Sequence, residues 1–237
     1  MQPILNIAFY RFLELSDLSE LKSRLKSEGQ RLGLKGTILL AFEGVNGMLA
    51  GPEASVREFQ SLLTSIFGSL DYKEGGSETV PFGRLFIKIK KEIIPIGCPE
   101  VRPSRSSAPR IRPEELKKWL DEKRPVVLLD TRNEYEIEHG TFKRATRMGL
   151  KHFREFPGKL EELPEDVRSG PVVMFCTGGI RCEKAGAVAM KAGMKDVYQL
   201  DGGILRYFEV CGDAHYEGKC FVFDERVAIS PPSRAHD

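Results

Sequence analysis

The stretch V-V-M-F-C-T-G-G-I-R-C-E-K-A-G-A-V-A-M-K, residues 172–191, decides how the second half of this chain folds. Its first four residues form a short continuous apolar run, the pattern of a parallel strand buried on both faces. Cys176 follows at once, then the adjacent glycines Gly178 and Gly179, then a helical run that starts near Cys182. In open α/β sheets, sites lie outside the carboxyl ends of the strands, and Cys176 stands at such an end. Glycines let successive backbone N–H groups turn inward, and the following helix adds its positive end. Both favour a thiolate over a thiol, and the same donors can hold a persulfide or another anion. Arg181 adds a fixed positive charge where the loop closes. A lone cysteine ending a strand reads as an inert core residue. The double glycine, the arginine and the helix start turn that reading toward a reactive thiol.

The same pattern recurs on either side. Residues 126–129 (V-V-L-L) are a second apolar run, and 197–200 (V-Y-Q-L) a third, reached through a helix that ends near Gly193. Pro113 to Lys123 is amphipathic, with Leu116, Trp119 and Leu120 on one side, and stops before Pro125. Strands alternating with helices at this spacing predict a parallel-sheet α/β domain over 113–212, followed by a tail over 213–237. Upstream, Gly97, three prolines and four arginines mark a boundary, with 98–112 as an Arg/Pro-rich linker. Arg102, Arg105, Arg110 and Arg112 have no acidic residue among them. Two readings stay open for them: a solvated linker, or a strap that contacts nucleic-acid phosphates.

Residues 1–97 follow another rhythm. A strand over 4–12 leads to a helix that starts at Asp17, with Glu20 three residues on, and buries Leu18, Leu21, Leu25 and Leu32. Strands over 37–42 and 45–50 form a hairpin around a Glu43-Gly44 turn. Gly51-Pro52 opens a helix whose stripe is Val56, Phe59, Leu63 and Ile66, ended by Gly68. Gly75-Gly76 reads as a loop and 84–90 as the last strand. The order β-α-β-β-α-β predicts a ferredoxin-like α+β domain, an antiparallel sheet with both helices on one face.

Composition narrows the setting. No stretch approaches the ~20 apolar residues needed to span a bilayer. The N-terminus has no basic region before a long apolar run, so no signal peptide is expected. Five cysteines, an odd number in a chain too large to need stapling, predict free thiols and a reducing, cytoplasmic compartment.

The loop C-T-G-G-I-R, Cys176 with Thr177, Gly178, Gly179, Ile180 and Arg181, resembles the six-residue active-site loop of the rhodanese superfamily. D-T-R-N-E-Y-E-I-E-H-G-T-F-K-R-A is similar to that superfamily's other signature, with Asp130, Arg132, Glu136, Gly140 and Ala145 at the expected positions. The signature's usual His is Thr141 here, and its later Gly is Arg144. V-Y-Q-L-D-G-G-I-L-R-Y resembles the closing motif, with Tyr207 where many members carry Trp. The loop resembles those sized for sulfur rather than phosphate. Adding K-G-T-I-L-L-A-F-E-G-V-N-G, H-F-R-E-F-P and C-F-V-F-D-E-R-V-A-I, the chain from near residue 1 to Ile229 is similar to the bacterial oxygen-dependent tRNA uridine hydroxylases. Those carry a rhodanese domain behind an acylphosphatase-like one. The resemblance implies conversion of the wobble uridine of tRNA to 5-hydroxyuridine, with Cys176 as catalytic cysteine and tRNA as partner.

Other residues carry paired readings. Cys182 is either a resolving thiol that forms a disulfide with Cys176 after oxidation, or a small residue packed at a helix start. Asp130 and Arg132 read as supporting residues, the acid fixing the loop and the arginine an internal ion pair, or as side chains that reach the site itself. Cys211, His215 and Cys220 do not complete a tetrahedral metal site, so no metal is expected. Cys98 reads as a bystander, and Glu43, Gly44 and Asn46 as turn formers or, in the alternative, as part of a tRNA-facing hairpin.

No cofactor motif is recognised: neither a Rossmann fingerprint, nor a flavin signature, nor a facial triad. The resemblance implies molecular oxygen as co-substrate, and without a cofactor motif the expected route is a uridine that a Cys176 thiolate activates by adding to C6, with a Cys176 persulfide as the rival active species. The competing class is sulfur transfer through a Cys176 persulfide, which uses the same loop. No membrane association is expected, and protein partners stay open.

Overall fold

Alternation of buried and exposed side chains builds the first half of the chain, as the sequence pattern requires. The structure, a computed structural model, describes residues 3–231, and the chain divides into two units, Met1–Pro95 and Ile96–Asp237. In the first, β1 (Ile4–Phe12), α1 (Leu18–Arg31), β2 (Lys35–Ala41), β3 (Gly44–Pro52), α2 (Glu53–Phe67), β4 (Lys73–Ser77) and β5 (Leu85–Ile89) follow in order. Leu5, Ile7 and Phe9 of β1 share one core with Ile38 and Leu40 of β2, Leu18 and Leu25 of α1, and Val56, Phe59 and Leu63 of α2. Burying each such side chain contributes about 1.5–3 kcal/mol.

The sheet runs β4-β1-β3-β2-β5. This corrects two details of the sequence reading. The segment around Gly75-Gly76 is a strand, antiparallel to β1, and it occupies the edge that 84–90 was expected to fill. Two glycines give no alternation to read, yet Asn6 Nδ2 donates to Gly75 O at 2.9 Å and fixes the pairing. The strand over 85–89 is an addition at the other edge, parallel to β2. The hairpin turn falls on Phe42-Glu43, since Ala41 pairs with Gly44. Glu43 and Asn46 both hold the backbone of Ile93, at 2.7 and 3.2 Å. Asp17 precedes α1 at φ 49° with no side-chain cap hydrogen bond, so its spacing to Glu20 does not produce a cap.

The second unit contains β6 (Arg110–Ile111), α3 (Pro113–Asp121), β7 (Val127–Asp130), α4 (Glu134–Ile137), β8 (Gly140–Phe142), β9 (Thr146–Arg147), α5 (Phe156–Glu161), α6 (Glu165–Ser169), β10 (Val172–Phe175), α7 (Ile180–Lys191), β11 (Val197–Leu200), α8 (Gly203–Cys211), β12 (Tyr216–Gly218), β13 (Cys220–Phe221) and β14 (Ala228–Ile229). The main sheet, β6-β11-β10-β7-β9, is parallel throughout. All four residues of β10 are fully buried, as a central strand covered on both faces must be.

Residues 98–112, read as a linker, belong to this unit. Val101, Ala108 and Ile111 are buried, and Arg110–Ile111 is the edge strand of the sheet. Ala108 approaches α7 so closely that a Cβ on Gly186 would lie 2.6 Å from its own Cβ. The tail is also structured: β12 pairs with β8, and β13 with β14. Residues 232–237 lie outside the described residues. Arg144, where the signature has glycine, sits at φ 62°, a conformation that costs a side chain ~1–2 kcal/mol. Among the described residues no helix is long and apolar enough to cross a membrane.

Candidate active site

Strand β10 delivers Cys176 into a fully buried position at the carboxyl end of the sheet. The backbone then reverses through Gly179 (φ 96°) into α7. The loop's carbonyls are tied down from the opposite side. The N–H groups of Ile204 and Leu205, in the first turn of α8, donate to Cys176 O at 2.9 Å and Thr177 O at 3.0 Å. With its carbonyls held there, the loop turns N–H groups toward sulfur, and Gly179 N donates to Cys176 Sγ at 3.1 Å.

Four favourable contacts then oppose one unfavourable condition. Burial of Cys176 acts to raise its pKa. The Cys182 thiol, the Arg181 charge and the N–H groups of Arg181 and Gly179 outweigh it and lower the pKa to about 6. Cys182, equally buried, moves the other way: burial and the neighbouring thiolate push its pKa well up. Thr131 Oγ1 sits 3.7 Å from Cys182 Sγ and donates to Phe175 O at 3.0 Å. The pair is therefore unequal: its surroundings favour the charge on Cys176 and the proton on Cys182.

Arg181 is not an open anion receptor. Its guanidinium is buried and bidentate on Glu136, at 2.5 and 2.7 Å, and Glu136 is fully buried. Burial opposes the charge on Arg181, and Glu136 restores it, raising the pKa above the ordinary value. Removing one partner of such a pair typically costs 3–5 kcal/mol, because the other charge stays buried. Glu136 Oε1 also accepts from Asn133 N at 3.1 Å, so one carboxylate starts α4 and anchors the loop's arginine.

The supporting signature forms a second buried knot. Arg132 grips Asp130 through Nε and Nη2, at 2.9 and 2.7 Å, and donates to Gly140 O at 2.8 Å. Thr141, standing for the usual His, donates to Asp130 Oδ2 at 2.7 Å and satisfies the carboxylate in its place. Cys220 lies against this knot and against Thr177; burial pushes its pKa up to about 12 despite the nearby Arg132. His215 pairs with Asp121 at 2.7 Å, and Cys211 is in the core, so these three residues have separate partners. Of the four linker arginines, Arg110 is committed to Glu183 at 2.5 Å and Asp201 at 3.1 Å, and Arg102 donates to Pro99 O. Arg105 and Arg112 are exposed.

Comparison of the sequence with known proteins places the chain in a family. Residues 4–93 match the UPF0176 acylphosphatase-like domain, and residues 112–209 the rhodanese-like domain. A tRNA uridine(34) hydroxylase of Cupriavidus necator is 46% identical over 235 residues, 96% of this chain and 83% of that protein. The chain belongs to the tRNA uridine(34) hydroxylase family. Another member, from Thiobacillus denitrificans, is 47% identical over 233 residues, 95% of this chain and 94% of that one. A solved rhodanese-like domain from Anabaena is 21% identical, with a TM-score of 0.39, over 54% of this chain and 88% of that one.

Two residues of this candidate site have roles that the sequence does not announce. Glu136 was visible only as a signature position, and Gly203 only as part of D-G-G. Gly203 has φ 66°, and a Cβ there would lie 2.5 Å from Cys176 O, 2.7 Å from Thr177 O and 2.8 Å from Gly179 N. Those atoms are backbone and cannot swing away. Gly203→Ala is expected to displace the loop. Its Cys176 alkylation at neutral pH should slow at least tenfold, while Gly178→Ala, with open space around its Cβ position, should change it little.

Proposed function

We propose that this protein hydroxylates uridine 34 of tRNA at C5, with Cys176 as nucleophile and molecular oxygen as co-substrate. One observation supports this above the others. A buried cysteine whose sulfur accepts from Gly179 N at 3.1 Å, with its pKa lowered and that of the neighbouring Cys182 raised, occupies the loop of a chain 46% identical to a tRNA uridine(34) hydroxylase. Lowering the pKa to about 6 leaves most of Cys176 ionised at neutral pH, and the rate falls as pH drops through that value.

The chemistry balances with the two sulfurs present. The thiolate bonds to C6 and moves the electron pair of the C5–C6 double bond onto C5, conjugated with O4. C5 then bonds to oxygen, giving after protonation a C5 hydroperoxide. Cys182 supplies two electrons to the O–O bond, becoming a sulfenic acid and leaving a C5 hydroxyl. Loss of the C5 proton expels Cys176 and restores the double bond. Cys176 then displaces water from Cys182, closing a disulfide that an external dithiol reopens. Uridine, oxygen and two thiols thus give 5-hydroxyuridine, water and one disulfide. The exposed Arg105 and Arg112, with Arg102, supply charge for phosphate contacts along the tRNA.

Two measurements check this. Mass spectrometry of tRNA nucleosides from cells with and without the gene should show 5-hydroxyuridine derivatives lost in its absence; loss of 2-thiouridines instead would indicate sulfur transfer. Incubation with tRNA bearing 5-fluorouridine should trap a denaturation-stable adduct on the protein, and Cys176→Ala should form none. An undiminished adduct in that variant would remove Cys176 from the first step.

A further inference from the structure

The tail motif C-F-V-F-D-E-R-V-A-I has no part in holding the thiolate, yet it forms a hairpin beside the loop. Phe223 and Tyr135 are among the few large apolar side chains left exposed, at 50% and 45%. They are joined through Phe221. The Phe221 ring meets Tyr135 edge-on at 5.4 Å, Phe223 edge-on at 5.1 Å and the exposed His139 ring at 5.5 Å. Four rings from two chain segments, 86 residues apart between Phe221 and Tyr135, thus make one exposed cluster.

Two features tie this cluster to the reactive centre. The Arg181 guanidinium, which neighbours the thiolate, sits 5.9 Å from the centre of the Phe223 ring. Thr177 Oγ1, next to Cys176, donates to Phe221 O at 3.5 Å. The hairpin is also built to stay in place. Asp224 accepts from the Arg226 side chain at 2.9 and 2.5 Å and from its backbone N–H at 3.0 Å. Val222 N donates to Val227 O at 2.8 Å. Between these bonds Val227 is held at φ 63°, a conformation that β-branched residues rarely adopt. Backbone strain of this kind persists where the surroundings over-determine it, and it clusters at functional sites. A rigid turn that keeps a phenylalanine half in water at the edge of an active-site loop does nothing for the core.

We propose that Phe223, Phe221 and Tyr135, with His139, form a stacking platform for a nucleobase at the mouth of the Cys176 site. It receives the anticodon-loop base that must leave its stack before C6 can reach sulfur. Unstacked bases are held on aromatic side chains in this way, because every base offers a π face. The inference rests on the tRNA reading above and assigns that substrate a place to land.

The probe is an RNA stem-loop carrying an anticodon loop with uridine at position 34. Phe223→Leu keeps an apolar side chain and removes the ring; it should weaken binding of the stem-loop about tenfold, since base–aromatic stacking is worth ~1–3 kcal/mol. Phe223→Trp should restore binding, and its indole emission should be quenched when the stem-loop is added. Alkylation of Cys176 should proceed at the wild-type rate in both variants, which separates lost stacking from a damaged loop. Wild-type affinity in Phe223→Leu, or no rescue and no quenching in Phe223→Trp, would overturn the platform. These readouts are independent of turnover. A wild-type protein that forms no 5-hydroxyuridine sinks the hydroxylase reading, whereas one that forms it with Phe223→Leu binding normally sinks the platform alone.

Discussion

The Arg181 guanidinium, buried and bidentate on Glu136, is the constraint on which the rest of the site depends. It fixes the far end of a six-residue loop whose near end is fixed by β10. It also neutralises a carboxylate that would otherwise lie buried and charged near a sulfur anion. Charges of this kind are tolerated away from water only when paired and hydrogen-bonded. The pair gives the loop one geometry, and that geometry aims Gly179 N at Cys176 Sγ. On the opposite side, the first turn of α8 holds the loop's carbonyls, which is why position 203 has no room for a side chain.

Reactivity follows from a contest between solvation and local donors. Full burial works against a thiolate, and only close, well-aimed donors reverse that. One of those donors is a second thiol, held in place near Thr131, whose pKa is raised by burial and by the charge it stabilises. The same arrangement serves two ends. It favours Cys176 as the nucleophile of the proposed reaction, and it places a second thiol beside it that can close a disulfide. The surrounding Asp130–Arg132–Thr141 knot supports the adjacent strand end: both Asp130 oxygens, Thr141 Oγ1 and Arg132 Nε and Nη2 are bound within it or to Gly140, and Arg132 Nη1 alone of these groups has no partner.

Much of this was legible because local sequence carries local physics. An apolar tetrad, a double glycine and a helix start specify strand, loop and helix, and so place Cys176. The parallel sheet followed from the repeated spacing of such tetrads. What escaped depends on distant partners. Glu136 lies 45 residues from Arg181, and no local pattern announces the pair. Gly75-Gly76 became a strand through pairing with β1, not through propensity. The segment around Arg110 looked like a solvated strap because its acidic partners, Glu183 and Asp201, lie far along the chain. Strands of two residues, such as β13 and β14, have no periodicity to read, so the aromatic hairpin beside the loop emerged only in three dimensions.

The central claim is that this loop holds Cys176 as a thiolate although it is buried. The direct measurement is the rate of Cys176 alkylation as a function of pH, in the wild type and in Cys182→Ala, with Cys176→Ser as blank. The wild-type midpoint should fall near pH 6, and loss of the Cys182 donor should move it upward. A wild-type midpoint at or above the ~8.5 of an ordinary thiol, unchanged in Cys182→Ala, would contradict the account.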